Sequence, residues 1–243
     1  MVIFFRKLHR LWFLFWLIFF FVLLYPFYYL SSRSSKYYPI LNVLRTINCV
    51  CSCVLSGIFF SIELETALNK DQTYIYCANH SSNLDIMVLC IIAKGNFHFM
   101  GKEELLNSPI LGIFFRTIDI TVKRDSKISA FRAFKKAEEN LEKGMSLIIF
   151  PEGGIEEEYP PQLSPFKNGP FRLAIDKSIP LVPISLGNLW QLMWDDGKKH
   201  GTRPGICDIY IHAPINTDKL KLEEADDLKE KVFELINSKL NYT

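Results

Sequence analysis

One short polar segment carries residue types that suit acid–base chemistry. It reads Asn79-His80-Ser81-Ser82-Asn83-Leu84-Asp85 and lies between two apolar runs, at 73–78 and 84–92. A single tight turn can bring the histidine at the end of the first run within hydrogen-bond reach of the aspartate at the start of the second. Asp85 would then hold one ring nitrogen of His80 and leave the other free to take a proton. Taken alone the spacing is a weak signal, because a loop histidine and a helix-capping aspartate give the same pattern.

A second polar turn follows the apolar run at 146–150 and reads Phe150-Pro151-Glu152-Gly153-Gly154. Its glycines let the backbone approach a ligand and expose N–H groups, and Glu152 adds a carboxylate. Because the carboxyl ends of parallel strands meet at one edge of a sheet, we expect this turn to lie beside His80. The simpler alternative is an ordinary Pro-Gly turn.

The elements that must position these residues follow from the alternation of apolar and amphipathic segments beyond Glu63. Strands are predicted at 73–78, 97–100, 118–122, 146–150, 181–186 and 207–211. Amphipathic helices are predicted at 127–143, where Gly144 is the stop signal, and at 222–240. The pattern predicts an α/β fold with a mixed sheet flanked by helices, and we assign residues 63–243 to a catalytic domain.

Residues 1–62 are predicted to form a membrane-associated segment of two apolar helices. The run at 11–30 contains no charge, and about 20 such residues are enough to cross or deeply enter a bilayer. A cleaved signal peptide is the competing interpretation, but the run is long for one and no A-x-A site follows it. The second stretch, 40–61, has Arg45 as its one charge, so it is expected to lie at the interface or beside the first helix, and a full second span stays open.

Charge and cysteine content narrow the classes of partner. The 28 basic and 26 acidic residues give a net charge of +2, which is no nucleic-acid-binding signature. The six cysteines lie in apolar runs without a C-x-x-C pair, which indicates buried, reduced thiols and no zinc site. We therefore expect a protein of the inner or cell membrane whose catalytic domain is cytoplasmic, with no metal.

Five segments in order, covering roughly residues 73–188, resemble the 1-acylglycerol-3-phosphate acyltransferase family. Asn79, His80 and Asp85 match its N-H-x-x-x-x-D motif, and 150–153 match the start of its F-P-E-G-T-R-S motif. Lys102-x-x-Leu105-x-x-x-Pro109-x-x-Gly112, in a segment that ends at Arg124, matches the family's second block. Residues 166–174 match its F-K-x-G-x-x-x-L-A motif, and residues 182–184 match its V-P-I/V strand.

The resemblance implies transfer of a fatty acyl group from an acyl thioester to the free hydroxyl of a lysophospholipid at a membrane. It implies 1-acyl-glycerol-3-phosphate as the acceptor, phosphatidic acid as the product, and acyl-CoA or acyl carrier protein as a co-substrate, with no cofactor. His80 and Asp85 would be catalytic. The substrate-binding residues implied are Asn79, Lys102, Arg124, Glu152, Gly153 and Gly154.

The chain departs from the family at one informative position. Gly154-Ile155-Glu156 replaces the usual Thr-Arg-Ser, so the arginine expected to contact the acceptor's phosphate is missing. Glu156, Glu157 and Glu158 stand there instead, and each close carboxylate would repel a phosphate by on the order of 1 kcal/mol. Three alternatives therefore stay open: acylation of a different lysolipid or a lipid without phosphate, lipid hydrolysis by the same histidine and aspartate, and an inactive lipid-binding or scaffold membrane protein of the same fold.

Overall fold

In the computed structural model, which describes residues 1–123 and 125–240, two long helices precede an α/β domain. The helices are α1 (Val2–Ser32) and α2 (Tyr38–Leu55). The domain then contains, in chain order, β1 (Ile58–Leu64), β2 (Ile75–Ala78), α3 (Leu84–Ile92), β3 (Phe97–Lys102), α4 (Gly112–Phe115), β4 (Ile120–Val122), α5 (Lys127–Glu142), β5 (Ser146–Ile149), α6 (Gly169–Asp176), β6 (Leu181–Leu186), α7 (Leu189–Leu192), β7 (Gly205–Ile211) and α8 (Ala225–Asn237).

The strands form one seven-stranded sheet in the order β1-β7-β6-β2-β5-β3-β4. All neighbouring strands are parallel except β6 and β7, which are antiparallel. The predicted α/β fold, a mixed sheet flanked by helices behind a two-helix segment, is thus confirmed. Because β2 and β5 are parallel neighbours with Cys77 opposite Ile149, the loops that follow them leave the sheet at the same edge.

The central strands are buried on both faces, as their continuous apolar sequences require. Every residue of β2, β5 and β6 is buried. On one face, Tyr76 and Ala78 belong to the same apolar cluster as Leu84 and Val88 of α3. On the other face, Ile75 and Cys77 share a cluster with buried side chains of α5, α6 and α8. This two-sided burial fixes β2 and β5 rigidly and therefore fixes the loops at their ends.

The sequence prediction was wrong about the end of the second apolar stretch. Helix α2 ends at Leu55, and after a turn at Gly57, with φ of +67°, the chain enters β1. Strand β1 pairs with β7 alone and lies at the edge of the sheet, so most of its side chains are not buried. Its composition continues that of the helix, which is why it was read as part of it. The proposed domain boundary after residue 62 falls inside this strand.

The two N-terminal helices are long and apolar enough to cross a membrane, with mean hydropathy of 2.1 and 1.4 in their most apolar windows. The outer face of α1 exposes large apolar side chains, including Phe15, Ile18 and Val22. One face of α2 instead contacts the α/β domain, where the buried guanidinium of Arg45 donates to both carboxylate oxygens of Asp119, at 3.2 and 3.0 Å. The exposed apolar faces are compatible with membrane association.

Candidate active site

His80 and Asp85 lie together where β2 leads into α3. The Nδ1 atom of His80 is 3.0 Å from Oδ2 of Asp85. The same oxygen accepts the backbone N–H groups of Ser81, at 2.7 Å, and Ser82, at 2.8 Å, which anchors the carboxylate in the turn. The Asp85 side chain has no exposed surface, whereas that of His80 keeps 12% of its surface exposed. The turn thus produces the base and orienting carboxylate expected from the spacing.

The imidazole of His80 is held in one orientation. Its ring stacks on the ring of Phe150, with centroids 3.8 Å apart and planes within 10° of parallel. Because Nδ1 is positioned to donate its hydrogen to Asp85, Nε2 carries the lone pair. Within residues 1–123 and 125–240 no group hydrogen-bonds to Nε2. This nitrogen can therefore accept a proton from a bound hydroxyl.

Glu152 connects the second polar turn to the first. Its Oε1 atom accepts the backbone N–H of His80 at 2.6 Å, and its Oε2 atom accepts the backbone N–H of Ser164 at 2.9 Å. Burial raises the pKa of Glu152 to about 7, against the lowering effect of these two hydrogen bonds, and the nearby Asp85 carboxylate raises it further. Glu152 thus fixes the backbone at His80, and near neutral pH it is only partly ionised.

Asn79 is occupied by the neighbouring strand. Its Nδ2 group donates to the carbonyl of Leu186 at 3.0 Å, and its Oδ1 atom accepts the Leu186 N–H at 2.8 Å. The residue is buried, so this amide ties the ends of β2 and β6 together. The geometry gives Asn79 a positioning role, and substrate contact by its side chain stays a prediction.

The backbone N–H groups around the site are nearly all engaged. Those of His80, Ser81 and Ser82 bond to the two carboxylates, and that of Leu84 donates to Ser82 Oγ at 3.1 Å. In the second turn, Gly153 has a φ of +83°, which favours glycine, and its N–H donates to Phe150 O at 3.0 Å. The N–H of Gly154 donates to no group in the described part of the chain. The N–H of Glu152 likewise donates to no group in that part of the chain, so the second turn leaves two backbone donors for an oxyanion.

The structure places one of the two cationic residues predicted to bind the substrate, Lys102, and not the other, Arg124. Lys102 is exposed at the carboxyl end of β3, and β5 lies between that strand and β2. It therefore stands at the same edge of the sheet as His80, two strands away. Arg124 lies outside the described residues, and its assignment to the substrate site stays a prediction.

Two neighbours of the site were missed by the sequence analysis. Asp195 holds the loop between His80 and Asp85 through its backbone, because its N–H donates to Ser81 O at 3.0 Å and its carbonyl accepts the Asn83 N–H at 2.9 Å. Backbone contacts of this kind leave no signal in side-chain identity. Lys167 crosses the Gly153 turn, and its membership of the F-K-N-G segment was the signal that could have identified it.

A second histidine has the partners of a hydrolase triad but a different environment. Nε2 of His212 lies 2.8 Å from Ser185 Oγ, and its Nδ1 lies 3.8 Å from Glu65 Oε2. Ser185 and His212 are buried, and Ser185 Oγ donates to Ile236 O at 3.1 Å. Burial also lowers the pKa of His212. This cluster joins β6, β7 and α8, and it offers no accessible nucleophile.

The sheet presents a histidine and its aspartate partner at the carboxyl edge, and no accessible nucleophile lies between them. This arrangement is typical of enzymes that use a histidine as a general base. The model of the Acyltransferase family matches residues 60–187, and the chain belongs to that family. The family resemblance inferred from the five sequence segments is confirmed.

Similar proteins support the same assignment. The chain is 30% identical over 183 residues to an uncharacterized acyltransferase of Schizosaccharomyces pombe, covering 74% of this chain and 65% of that protein. It is 33% identical over 165 residues to the 1-acyl-sn-glycerol-3-phosphate acyltransferase of Saccharomyces cerevisiae, covering 66% of this chain and 53% of that protein. The chain thus spans about half to two thirds of the length of these curated relatives.

The fold matches a solved structure over nearly its full length. The crystal structure of the 1-acyl-sn-glycerophosphate acyltransferase PlsC from Thermotoga maritima superposes with a TM-score of 0.80 at 23% identity, covering 98% of this chain and 95% of that one. The match therefore includes the two N-terminal helices as well as the α/β domain.

Proposed function

We propose that this protein is a membrane-bound O-acyltransferase that moves a fatty acyl group from an acyl thioester to the free hydroxyl of a lysophospholipid. The proposed acceptor is 1-acyl-glycerol-3-phosphate and the product is phosphatidic acid. The observation that carries the proposal is the 3.0 Å contact between His80 and Asp85, with Nε2 of the histidine left free. Similarity to 1-acyl-sn-glycerol-3-phosphate acyltransferases supports this acceptor. The donor, acyl-CoA or acyl carrier protein, is a co-substrate, and the reaction uses no metal or cofactor.

His80 acts as the general base in this proposal. As the acceptor's hydroxyl oxygen attacks the thioester carbonyl carbon, its proton passes to Nε2 of His80. The imidazolium that forms is stabilised by the Asp85 carboxylate at Nδ1. The tetrahedral intermediate then collapses, the carbon–sulfur bond breaks, and the leaving thiolate takes the proton from Nε2. No acyl-enzyme intermediate is needed.

The remaining site residues bind and orient. The N–H of Gly154 would donate to the oxyanion of the intermediate, where a fixed donor contributes more than water does. Glu152 and Asn79 hold the strand ends that carry His80. The absence of a side chain at Gly153 leaves room for the side chain of Lys167. Lys102 and Arg124 are proposed to add positive charge at the acceptor's phosphate.

The two N-terminal helices are proposed to hold the domain at the membrane. The polar face of α2 is bound along the domain, since Asn42 Nδ2 donates to Phe97 O at 2.9 Å and Thr46 Oγ1 donates to Cys90 O at 2.6 Å. A helix bound in this way lies at the interface, because a full span would carry the sheet into the bilayer. We propose the two helices, which end at Leu55, as the anchor and the α/β domain from β1 onward as the catalytic domain, with a cytoplasmic location for that domain at the inner or cell membrane. The six free cysteines support a reducing compartment.

The test is acyl transfer from labelled acyl-CoA, and in parallel from acyl carrier protein, to a panel of lysolipids. Wild-type protein and His80→Ala are compared in membranes. We expect wild type to acylate lysophosphatidic acid and His80→Ala to lose nearly all transfer. Release of free fatty acid without any acylated acceptor would establish a hydrolase instead. If wild-type protein uses neither donor, the scaffold alternative replaces the enzyme.

A further inference from the structure

The proposed acceptor carries a phosphate, but the turn expected to bind it has lost its arginine. In the family motif the arginine is the second residue after F-P-E-G, and Ile155 occupies that position here. The next three residues are exposed glutamates, and Glu156 is close enough to contribute to the raised pKa of Glu152. A phosphate bound beside His80 therefore requires a cation from a different segment.

Lys167 lies directly against this turn. A Cβ atom added to Gly153 would overlap Lys167 Nζ and would lie 2.9 Å from its Cε atom and 3.3 Å from its Cδ atom. The side chain of Lys167 thus runs across the bare backbone of Gly153. The Lys167 N–H also donates to Pro151 O at 2.9 Å, so the two segments are joined at the backbone. The residue next to Gly153 is Glu152, which accepts the His80 N–H.

The ammonium of Lys167 is uncommitted although its backbone is fixed. Among the ion pairs of residues 1–123 and 125–240, none involves Lys167, whereas Lys177 pairs with Glu138 and Glu142. The preceding residue, Phe166, is buried and packs edge-on against Phe233, with ring centroids 5.1 Å apart. The helix α6 begins two residues later. A lysine whose backbone is anchored in this way presents a localised positive charge to the site, and that charge is not taken up by a carboxylate of the protein.

We propose that Lys167 binds the phosphate of the acceptor lipid and takes over the role of the missing arginine. The ligand is a lysolipid that ends in a phosphate monoester, held with its phosphate at Lys167 over Gly153 and its hydroxyl at Nε2 of His80. The exposed position of Lys167 at the mouth of the turn suits a charged headgroup that stays in contact with water. This inference rests on the proposed acyl transfer and assigns its acceptor specificity to a residue outside the two polar turns.

The experiment compares acceptors with and without phosphate. Initial rates of transfer to lysophosphatidic acid and to monoacylglycerol of the same chain length are measured for wild type, Lys167→Ala, Lys167→Arg and the control Lys135→Ala. Lys135 is exposed on α5 and takes part in no ion pair of the described residues. We expect Lys167→Ala to raise KM for lysophosphatidic acid roughly 10- to 100-fold with little change in kcat, because a charge-assisted bond is lost. Lys167→Arg should recover most of this loss, and transfer to monoacylglycerol should not change.

A second variant keeps the test decisive if the first disturbs the turn. Adding Ile155→Arg to Lys167→Ala restores the cation at the family's position, and KM for lysophosphatidic acid should fall again. If Lys167→Ala behaves like Lys135→Ala while wild type acylates lysophosphatidic acid, Lys167 has no such role and the proposed function stands. If wild type transfers to no phosphate-bearing acceptor, binding of radiolabelled lysophosphatidic acid in lipid nanodiscs decides: equal Kd values for wild type and Lys167→Ala overturn the inference, and weaker binding by the variant supports it.

Discussion

Two histidine clusters beside the carboxyl-terminal half of β6 use nearly the same residue types and have different consequences. At the carboxyl edge of β2, His80 contacts a buried carboxylate at 3.0 Å, its Nε2 bonds to no group of the described residues, and 12% of its side chain is exposed. In the second cluster, His212 contacts Ser185 Oγ at 2.8 Å, but its carboxylate partner Glu65 is 3.8 Å away and half exposed. The first cluster has an ordered base with a free reactive atom. The second has its reactive atoms hydrogen-bonded to each other and closed off from substrate.

The two clusters differ in how accessible their reactive atoms are and not in the types of residue that form them. The hydroxyl of Ser185 donates to a carbonyl in the last turn of α8. It cannot act as a nucleophile on a substrate without breaking this buried hydrogen bond. Nothing comparable restrains Nε2 of His80. Its stacking partner, Phe150, fixes the plane of the ring. Substitutions at the two clusters should therefore separate activity from stability.

The largest expected effect is at His80. Replacement with alanine removes the proton acceptor, and we expect kcat for acyl transfer to fall by roughly 10²- to 10⁴-fold. Some stability is lost as well, because the ring is only 12% exposed and stacks on Phe150. Steady-state kinetics with saturating donor measure the change. Added imidazole should restore part of the rate, because the space left beside the Phe150 ring suits a free imidazole. A variant that keeps a tenth or more of the wild-type rate would exclude His80 as the base.

Asp85→Asn should have the next largest effect. The amide keeps the shape of the carboxylate but loses its charge, and its NH₂ group would face donors, either the His80 Nδ1–H or the backbone N–H groups of Ser81 and Ser82. We expect a fall in kcat on the order of 10²-fold or more and a lower thermal midpoint. Asp85→Ala serves as the comparison, because it removes the orienting group without adding a donor. If both variants retain wild-type pH profiles and rates, the pair has no role in catalysis.

Much of the fold was predictable because its determinants are local. The runs that became β2, β5 and β6 are continuous and apolar, as strands buried on both faces must be, and Gly144 follows the end of α5 within two residues. Strand β1 was not predictable in this way. It lies at the sheet edge with mostly unburied side chains, and its apolar composition continues that of α2.

In the candidate site too, local features were predictable from the sequence and long-range contacts were not. The pairing of His80 with Asp85 follows from one turn and their spacing, so the sequence carries it directly. The double hydrogen bond from Asn79 to Leu186 joins residues 107 positions apart, and only the order of strands in the sheet brings them together. Asp195 acts through backbone atoms, which the sequence does not specify. Lys167 differs from both, because it lies in the F-K-N-G segment that the sequence analysis had matched to the family.

Glu152 allows the catalytic turn to be tested by pH. Its pKa is raised from 4.5 to about 7 by burial, so the folded protein binds this proton more tightly than the unfolded chain does. The contribution of Glu152 to stability is therefore complete below about pH 4.5 and is lost as the pH rises through 7. The free energy of unfolding of wild type minus that of Glu152→Gln should fall by about 2–3 kcal/mol between pH 4.5 and pH 8. Chemical unfolding in detergent at several pH values measures it, and a difference that does not vary with pH would contradict the raised pKa.

The smallest expected effect is at the second cluster, where Ser185→Ala removes a hydroxyl that bridges His212 and the carbonyl of Ile236. Both partners are left buried without that bond, so we expect a loss of about 1–2 kcal/mol in the free energy of unfolding. The rate of acyl transfer at a temperature where the variant is folded should stay within twofold of wild type. Ser185→Cys, which keeps a weak donor of similar size, should lose less stability and provides the matched control. A large loss of kcat in folded Ser185→Ala would mean that this cluster takes part in catalysis, and the separation between a reactive and a structural histidine would fail.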